Sequence, residues 1–411
     1  MSAVDYDVLI AGGGLVGASL ACALGGSPLR VAVIEPVAAD SGDRQPSYDD
    51  RTTALSPSTQ RIFAALGLWP ELRGEATPIR EVHVSERGGF GFVRMTAAEE
   101  GLEALGYVVT NRRLGQVLPV RAAAQPNVDM LCPASVATVS LQPQWVEVGI
   151  EADGQTRTLR GRLLVVADGA QSRTRALIGV EADVRSYRQV AVIANLTPER
   201  DHQGRAFERF TAQGPMALLP SSGGRCALIW TVPEERAEAI LALPDDAFLA
   251  EVQARFGYRL GRLLKVGARA SYPLAVTTAR RFHVPRAVVI GNAAHSLHPV
   301  AGQGFNLSLR DVAALAELLT AAACRGEDPG EQALLARYEE LRRSDYRRVA
   351  GFTDLLVRLF SNAVPGLVQA RNLGLLALDL FPAGKRSFLR YAMGRAGLLP
   401  RLARGLPLEG V

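Results

Sequence analysis

A glycine-rich turn, followed by an acidic residue, is the part of the sequence whose residue types and spacing point most directly to chemistry. The turn runs from Gly12 to Gly17 and separates an apolar run from a helical segment, which is expected to extend from Leu15 to Leu24. Gly12 permits a tight turn, Gly14 lets the backbone approach a pyrophosphate, and Gly17 lets the helix pack closely on the strand. Glu35 ends the next apolar run, about 20 residues after the glycines, where a carboxylate can accept hydrogen bonds from ribose hydroxyls. The pattern predicts a dinucleotide site, and by itself it fits NAD and FAD equally.

Two further apolar runs end in residues that fit the same site. Residues 163–167 lead into Asp168, and residues 288–290 lead into Gly291 and Asn292. Open α/β sheets bind ligands at the carboxyl ends of their strands. We therefore expect Asp168 and Asn292 to lie beside the glycine turn.

Two histidines, His295 and His298, lie three positions apart just after Asn292 and are candidates for an acid–base pair. No carboxylate or thiol cluster with ligand spacing accompanies them, and the four cysteines are scattered without a CxxC pair. We expect no metal site and no disulfide framework.

The composition indicates a folded protein that is large enough for two domains. The chain has 411 residues, of which 48% are hydrophobic and 21% charged, and this excludes disorder and collagen-like or coiled-coil repeats. No apolar run reaches the ~18 residues that a membrane-spanning helix needs. The first residues carry acids where a signal peptide has a basic flank, so we expect a cytoplasmic protein.

The net charge of +5 is concentrated at the C-terminal end. Residues 352–411 hold three acidic side chains and eight basic ones: Arg358, Arg371, Lys385, Arg386, Arg390, Arg395, Arg401 and Arg404. Apolar residues recur with helical spacing at Phe352, Leu355, Leu356, Leu359 and Phe360. This pattern is typical of an amphipathic helix with a cationic flank, which can pack on its own domain, on a partner protein or on an anionic membrane. The remaining residues are neutral overall and contain no nucleic-acid-binding module, so we expect no nucleic-acid partner.

Together, these segments resemble the group A flavoprotein aromatic hydroxylases, which share the fold of p-hydroxybenzoate hydroxylase. The resemblance rests on the glycine turn, the segment that begins at Arg51, Asp168-Gly169 and Gly291-Asn292. It implies FAD as the bound cofactor. In this family the residues that match Asp168 and Gly169 contact both FAD and the nicotinamide nucleotide. The segment that matches Gly291-Asn292 normally reads Gly-Asp, so the asparagine keeps a hydrogen bond to the ribityl chain but removes a charge.

Residues 291–311 resemble the signature of the ubiquinone-biosynthesis hydroxylases, and most of all that of their 2-polyprenyl-6-methoxyphenol hydroxylase branch. The segment reads GNAAHSLHPVAGQGFNLSLRD. Residues 207–210, 214–220 and 392–394 extend the likeness, which covers the chain from about Val4 to about Leu399.

The resemblance assigns a loop and a helix start to the flavin ring. The residues concerned are Pro299, Gly302, Gln303, Gly304 and Asn306. Glycines in such a loop let backbone amides approach the ring, and the positive end of the helix that is expected to begin near Asn306 stabilises negative charge on the reduced flavin.

Further residues follow from the same resemblance. Arg51 matches a family arginine near the flavin, and Asn111 and Gln116 lie in a helix-entry segment where cofactor contact and an ordinary helix-start role both remain open. For His295 and His298 the resemblance implies structural hydrogen bonding, because the flavin supplies the reactive oxygen.

The implied architecture is an α/β protein with a Rossmann-type FAD-binding domain, an inserted β-sheet substrate domain and a C-terminal basic helical segment. The FAD-binding domain is expected to comprise residues 1–75, 99–180 and 275–355, the substrate domain residues 76–98 and 181–274, and the C-terminal segment residues 356–411. Strand-like runs at 190–196, 206–211 and 226–232 are typical of a sheet that covers the flavin.

The implied activity is that of an FAD-dependent monooxygenase with NAD(P)H as cosubstrate. NAD(P)H reduces FAD, a flavin C4a-hydroperoxide forms with O2, and its distal oxygen is delivered to a ring carbon of a polyprenylated phenol. Because such a phenol is nearly insoluble, we expect the C-terminal segment to meet a ubiquinone-biosynthesis complex or the inner-membrane surface. No base for the phenol stands out among the Tyr, His and Lys residues of 181–275.

Two alternatives remain open at this point: a sister hydroxylase of the same pathway that acts at another ring position, and a non-catalytic flavoprotein scaffold. Flavin halogenases are disfavoured because the chain has no WxWxIP motif and its only lysines are Lys265 and Lys385. Disulfide reductases are disfavoured because Cys22 alone follows the glycine turn.

Overall fold

The computed structural model describes residues 4–38, 51–360, 365–394 and 399–409. Arg395, one of the basic residues of the predicted cationic segment, lies outside the described residues. The described strands, in chain order, are β1 (Tyr6–Ala11), β2 (Val31–Ile34), β3 (Thr52–Leu55), β4 (Thr77–Ile79), β5 (Glu81–Glu86), β6 (Phe92–Thr96), β7 (Gly106–Thr110), β8 (Val128–Leu131), β9 (Ser135–Leu141), β10 (Val146–Ala152), β11 (Gln155–Val166), β12 (Ala182–Pro198), β13 (Arg205–Thr211), β14 (Gly214–Ser221), β15 (Arg225–Pro233), β16 (Leu263–Ala279), β17 (His283–Val284) and β18 (Ala287–Val289). The described helices are α1 (Leu15–Leu24), α2 (Pro57–Ala65), α3 (Trp69–Arg73), α4 (Asn111–Ala123), α5 (Arg173–Leu177), α6 (Glu234–Leu241), α7 (Asp245–Phe256), α8 (Gln303–Cys324), α9 (Gln332–Phe360), α10 (Pro365–Leu380) and α11 (Pro382–Ala392).

The first sheet has a parallel centre. Its eight described strands follow the order β17-β18-β11-β1-β2-β8, with β10 paired to β11 and β9 paired to β10. Strands β18, β11, β1, β2 and β8 run parallel, whereas β17, β10 and β9 pair antiparallel. Val8, Leu9 and Ile10 of β1 are fully buried, as expected for a central strand covered on both faces. The parallel centre confirms the predicted α/β class.

Helices cover this sheet and fix its glycine turn. Helix α1 packs against α4 and α8, and residues 17–24 of α1 are all buried. A helix enclosed on every side needs no polar face, which explains its nearly uniform small and apolar composition. It begins at Leu15 and ends at Leu24, as the sequence predicts.

The second sheet follows the order β16-β12-β15-β14-β13-β5-β6 in its seven described strands. Neighbouring strands are antiparallel except β13 and β5, which are parallel. The predicted strand-like runs at 190–196, 206–211 and 226–232 lie within β12, β13 and β15. One face of the sheet buries Met216 and Trp230 against α6 and α7. The division of the chain into domains at the expected boundaries stays a prediction.

A third, small antiparallel sheet has the strand order β3-β7-β4. Thr52 of β3 pairs with Thr110 at the end of β7, and the backbone N–H of Asn111 donates to the carbonyl of Arg51 over 2.8 Å. This pairing places the start of α4 beside Arg51, at the end of the strand pair opposite to the start of α2.

The C-terminal helices pack on the second sheet. Helix α9 runs without interruption through positions 355 and 356, between which the FAD-binding domain is expected to end and the C-terminal segment to begin. At its end, the ring of Phe360 stacks on Phe210 of β13 with 3.9 Å between centroids. Lys385 of α11 donates to the carbonyl of Arg94 in β6 over 2.8 Å. Among the helices of the described ranges, none combines the length and the apolar composition that a membrane crossing requires.

Candidate active site

The carboxyl ends of four neighbouring parallel strands bring the predicted site residues to one edge of the first sheet. Asn292 follows β18, Asp168 follows β11, the turn at Gly12 follows β1, and Glu35 follows β2. Because these strands are adjacent in the order β18-β11-β1-β2, residues far apart in the chain become neighbours. Ligands of open α/β sheets bind at such an edge.

The glycine turn is packed too closely for side chains. Gly12 has φ +100°, and a Cβ atom there would lie 2.7 Å from the carbonyl oxygen of Ala167. A Cβ atom on Gly17 would lie 1.8 Å from the carbonyl oxygen of Gly12. Gly14, the residue before α1, offers no side-chain cap, so the first N–H groups of the helix face the turn as an anion site.

Glu35 is held beside this turn. The backbone N–H of Gly13 donates to its Oε2 over 2.6 Å, and that of Val37 donates to its Oε1 over 3.0 Å. The side chain is 8% exposed, and burial raises its pKa although both hydrogen bonds oppose the shift. The carboxylate therefore has a fixed position at the end of β2.

Asp168 is also bound by its own loop. The hydroxyl of Ser172 donates to Asp168 Oδ1, and the backbone N–H of Thr174 donates to Oδ2 over 3.0 Å. These bonds organise the start of α5, where Ser172 is the N-cap. Asp168 thus orders the loop after β11, and its contact with a cofactor stays a prediction.

His295 and His298 lie outside the cavity described below, and each supports a loop that reaches it. His295 is 1% exposed and donates through Nε2 to Asp311 Oδ2 over 2.6 Å. The same oxygen accepts the N–H of Gly291 over 3.0 Å, and Oδ1 accepts Nε of Arg342 over 2.6 Å. Burial raises the pKa of Asp311, but His295 and Arg342 outweigh it and lower that pKa to about 2. This buried cluster anchors the turn that carries Asn292.

His298 has a similar supporting role. Its Nδ1 accepts the backbone N–H of Val300 over 3.3 Å, and its ring meets Tyr187 edge to face with 5.0 Å between centroids. Burial lowers its pKa to about 4, so the ring is neutral near pH 7. It shapes the loop before α8.

That loop ends in a glycine with a left-handed backbone. Gly302 has φ +60° immediately before α8, which begins at Gln303, earlier than the predicted start near Asn306. A Cβ atom on Gly304, in the first turn of α8, would meet no atom within 4 Å. Pro299, Gly302, Gln303 and Gly304 all line the cavity. The N-terminus of α8 has no side-chain cap.

Asn306 holds this helix start in place. Its Oδ1 accepts the N–H of Ser56 over 2.8 Å and the hydroxyl of Thr59 over 2.7 Å. Its Nδ2 donates to the carbonyls of Ala54 and Gly302 over 2.8 and 2.7 Å. An amide side chain has two donors and two acceptor positions, so protein partners occupy all of them. Asn306 shapes the site through the backbone that it ties together.

Arg51 and Asn111 meet at the cavity, whereas Gln116 does not reach it. The Arg51 guanidinium lies over the ring of Tyr272, 4.4 Å from its centroid, and Asn111 Oδ1 accepts the hydroxyl of Thr53 over 2.6 Å. Gln116 is exposed and accepts a hydrogen bond from Arg113 over 3.3 Å. On α4, Gln116 is rotated by about 140° from Asn111 around the helix axis.

One cavity of about 860 Å³ joins the loop before α8 to the second sheet and to the C-terminal helices. The sheet contributes Val82, Val84, Val93, Met95, Ala206, Glu208, Phe210, Ala217, Leu219 and Ile229. The helical wall contributes Phe352, Leu356, Leu359, Phe360, Arg371, Leu375, Leu378, Phe388, Leu389 and Met393. The lining is predominantly apolar, as in pockets that enclose hydrophobic ligands.

Two features of this cavity escaped the sequence analysis. Arg371 of α10 binds Glu86 of β5, and Asn372 Nδ2 donates to the same carboxylate over 2.8 Å. Glu208 lies on the cavity face of β13, and burial raises its pKa to about 7. The alternation of Ala206, Glu208 and Phe210 along a strand is a signal that could have identified a charged residue facing inward.

The described ranges contain no group of three or more His, Cys, Asp or Glu side chains arranged to hold a metal ion. The site thus consists of an edge with fixed polar groups and an apolar cavity next to it.

A family model, curated relatives and solved structures each match this chain over most of its length, and together they point to flavin-dependent hydroxylases. The family model described as FAD binding domain matches residues 5–353. The ubiquinone hydroxylase UbiL of Rhodospirillum rubrum is 42% identical over 409 residues, which cover 98% of this chain and 93% of that protein. The 3-demethoxyubiquinol 3-hydroxylase of Escherichia coli is 32% identical over 394 residues, covering 94% of this chain and 98% of that protein. The crystal structure of p-nitrophenol 4-monooxygenase PnpA from Pseudomonas putida superposes with a TM-score of 0.79 at 19% identity, over 97% of this chain and 100% of that one.

Proposed function

The chain belongs to the FAD-dependent hydroxylases of ubiquinone biosynthesis, and from this premise we propose that it hydroxylates the ring of a polyprenylated phenol, 2-polyprenyl-6-methoxyphenol. It is a flavin-dependent aromatic monooxygenase, its cofactor is FAD, and NAD(P)H is the cosubstrate. The observation that carries the choice of substrate is the apolar cavity, which extends from the loop before α8 to the C-terminal helices. A small polar aromatic compound would leave most of that lining without a partner.

The residues present fit FAD. We assign the pyrophosphate to the turn from Gly12 to Gly17, the adenosine ribose to Glu35 and the ribityl chain to Asn292. The uncapped start of α1 and the fixed Glu35 carboxylate support the first two assignments. Asp168, at the neighbouring strand end, completes this edge.

The flavin ring is assigned to the loop before α8. Gly304 supports this assignment, because the space that its missing side chain leaves is free of protein atoms within 4 Å. Pro299, Gly302 and Gln303 line the same part of the cavity, together with Arg51 and Asn111. Gln116 does not line this cavity, and its contact with FAD stays a prediction.

The chain's own residues bind, orient and shield the reactants. FAD, when bound and reduced, supplies the activated oxygen. The uncapped start of α8 stabilises negative charge that develops beside it. The stacked rings of Phe210 and Phe360 and the apolar residues around them exclude water from the substrate.

The experiment that tests the substrate is mass spectrometry of quinone intermediates in a strain that lacks the gene, with a complemented strain as control. Accumulation of 2-polyprenyl-6-methoxyphenol, reversed by complementation, is the expected result. An unchanged quinone profile would refute the proposal.

A second candidate is hydroxylation at another ring position of the same pathway. The 32% identity to a 3-demethoxyubiquinol 3-hydroxylase favours it, since that relative covers 94% of this chain. The same strain distinguishes the two candidates, because a demethoxy quinone would accumulate instead. A scaffold without activity is disfavoured by relatives that are named as hydroxylases.

We further propose that the protein works from the cytoplasm at the inner-membrane surface, through its C-terminal helices. Leu355 of α9, Leu373 and Leu380 of α10 and the following Phe381 are 58–72% exposed. Arg386 and Arg390 of α11 are exposed as well. Large apolar side chains next to exposed cations suit an anionic lipid surface, and these helices also form one wall of the cavity.

The test is cosedimentation of the holoenzyme with vesicles of phosphatidylglycerol or of phosphatidylcholine. We expect binding to phosphatidylglycerol that is lost in the double variant Leu380→Ser, Phe381→Ser. The matched control replaces two exposed apolar residues of other helices, Val120→Ser and Leu177→Ser, which are 65% and 43% exposed. Equal binding of all three proteins, or none by the wild type, contradicts a membrane contact through these helices and leaves a protein partner as the alternative.

A further inference from the structure

A single carboxyl group lies in the middle of the sheet wall of the cavity. Glu208 of β13 pairs with Val84 of β5 on one side and with Ala217 of β14 on the other. The next residues along the same row are Val93 of β6 and Ile229 of β15. All of these neighbours line the cavity, so Glu208 is flanked by apolar side chains along this row of the sheet.

The charged groups around the cavity do not compensate Glu208. Among the residues that the structure describes, the other charged ones that line it are Arg51 and Arg371. Arg51 lies over Tyr272, and Arg371 is bound to Glu86. The opposite face of the sheet carries Arg209, which donates to Ser85 and to the carbonyl of Arg255. Within the described part of the chain, no donor or cation contacts the Glu208 carboxyl.

A comparison with Glu86 shows how unusual this is. Both carboxylates belong to the second sheet, and Glu86 lies beside Phe210, two residues along β13 from Glu208. Glu86 is satisfied by Arg371 and Asn372. Glu208 is half-buried and its carboxyl faces the cavity without a partner among the described residues, so a ligand that supplies the partner is the simplest explanation for its position.

We propose that the Glu208 carboxylate receives the phenolic hydroxyl of the substrate: it accepts the hydrogen bond from that O–H on binding and accepts the proton during hydroxylation. This inference rests on the proposed function, because it requires a phenol in the cavity. Burial without a compensating cation raises the pKa of Glu208 to about 7, which suits a group that exchanges a proton near neutral pH.

The proton transfer is balanced without any further reactant. The O–H bond of the phenol breaks, its electron pair stays on the oxygen, and the proton forms a bond to a carboxylate oxygen of Glu208. The resulting phenolate donates electron density to the ring, which makes the ring carbon a better nucleophile toward the oxygen atom. The proton returns to the product oxygen or to water, so Glu208 ends the cycle as it began.

The test compares two ligands of the holoenzyme, 2-geranyl-6-methoxyphenol and its O-methyl ether, which lacks the phenolic proton. Binding is followed through the flavin absorbance, and product formation is followed per NAD(P)H oxidised. The wild type is expected to bind the phenol about tenfold more tightly than the ether, as for one hydrogen bond to a charged group. Glu208→Leu is expected to bind both equally.

Glu208→Gln separates binding from proton transfer. Its amide oxygen still accepts a hydrogen bond, so the phenol should bind within about threefold of the wild type. Product formation should nevertheless fall by about tenfold or more and lose the rise between pH 6 and pH 8 that we expect of the wild type. The matched control is Glu81→Gln on β5, which removes a carboxylate paired with Arg205 away from the cavity and should change neither quantity.

The outcomes distinguish a failure of the role proposed for Glu208 from a failure of the proposed substrate class. A Glu208→Leu protein that still prefers the phenol, or a Glu208→Gln protein with wild-type product formation and pH profile, overturns the role of Glu208 alone. A wild type that binds both compounds equally and hydroxylates the phenol does the same. A wild-type holoenzyme that binds neither compound contradicts the proposed substrate class, and with it the role that depends on that class.

Discussion

Carboxylates at the strand-end edge of the first sheet have hydrogen-bond partners within the protein, whereas Glu208 in the neighbouring cavity has none among the described residues. At the edge, Glu35, Asp168 and Asp311 each accept hydrogen bonds from backbone N–H groups, and Asp168 and Asp311 also accept them from neighbouring side chains. In the cavity, the residues directly paired with Glu208 on the neighbouring strands, Val84 and Ala217, are apolar. The edge is therefore complete before a ligand arrives, whereas the cavity leaves a polar position for the ligand to satisfy. Substitutions at the edge should cost stability, and substitutions in the cavity should cost binding or turnover.

The largest effect is expected from Asp311→Asn. This change removes the carboxylate between His295 and Arg342 and leaves the Arg342 cation buried without one of its partners. Breaking a buried ion pair from one side costs about 3–5 kcal/mol of unfolding free energy. Urea denaturation of the FAD-free protein measures it, with Glu327→Gln in the exposed pair with Arg325 as control. A loss as small as that of the control would show that the edge does not depend on this cluster.

Gly17→Ala comes next. The added Cβ atom would lie 1.8 Å from the carbonyl oxygen of Gly12, so the turn must shift. We expect about 1–3 kcal/mol of destabilisation, as for overpacking, together with loss of bound FAD. Absorbance of the purified protein and thermal unfolding measure both. Gly351→Ala, in an open position of α9, is the matched control and should stabilise slightly. Retention of FAD at wild-type affinity would contradict the assignment of the turn to the pyrophosphate.

Glu208→Gln should have a smaller effect of the opposite sign. The raised pKa of Glu208 means that the folded protein holds a proton that the unfolded chain releases at lower pH. The wild type therefore loses stability as the pH rises from about 4.5 to above 7, and the variant does not. We expect the variant to gain about 1–2 kcal/mol over the wild type at pH 8 and little at pH 5, because water in the cavity reduces the full linkage value. Thermal unfolding at both pH values checks this, and a gain that is independent of pH would refute it.

Gly304→Leu should change stability least. Its side chain would enter space that is free of protein atoms within 4 Å, and leucine favours a helix more than glycine does. The FAD-free protein should unfold within about 1 kcal/mol of the wild type, while FAD binds about tenfold more weakly or worse. Unchanged FAD affinity would contradict the assignment of the flavin ring to this end of the cavity. It would also weaken the contrast between the edge and the cavity.

The elements of the first sheet could be predicted from the sequence because their signals are local. The run before Gly12, the helix from Leu15 to Leu24 and the acid at position 35 lie within one stretch of chain, and each appears where expected. The position of Gln116 could not be predicted in the same way, because its distance from the cavity depends on the phase of α4 relative to Asn111.

The cavity depends on partners that are far apart in the chain. Arg371 binds Glu86 across 285 positions, and Asn306 binds Ser56 across 250 positions. No periodic pattern in one segment reports such pairs. The role of His295 was implied only by resemblance, since its partner Asp311 reads in sequence as an ordinary helix residue.

The parallel pairing of β5 with β13 has a consequence for how the chain folds. Ser85 and Arg209, which face each other in these strands, are separated by 124 positions. The intervening chain contains β7 to β11, so much of the first sheet is synthesised after β5 and before its partner. The β5–β6 hairpin must therefore wait with one unsatisfied edge and an apolar face, and closing so long a loop is slow relative to local folding. The sheet wall of the cavity is therefore completed late in synthesis. Until then, the β5–β6 hairpin is the segment that a chaperone would have to protect.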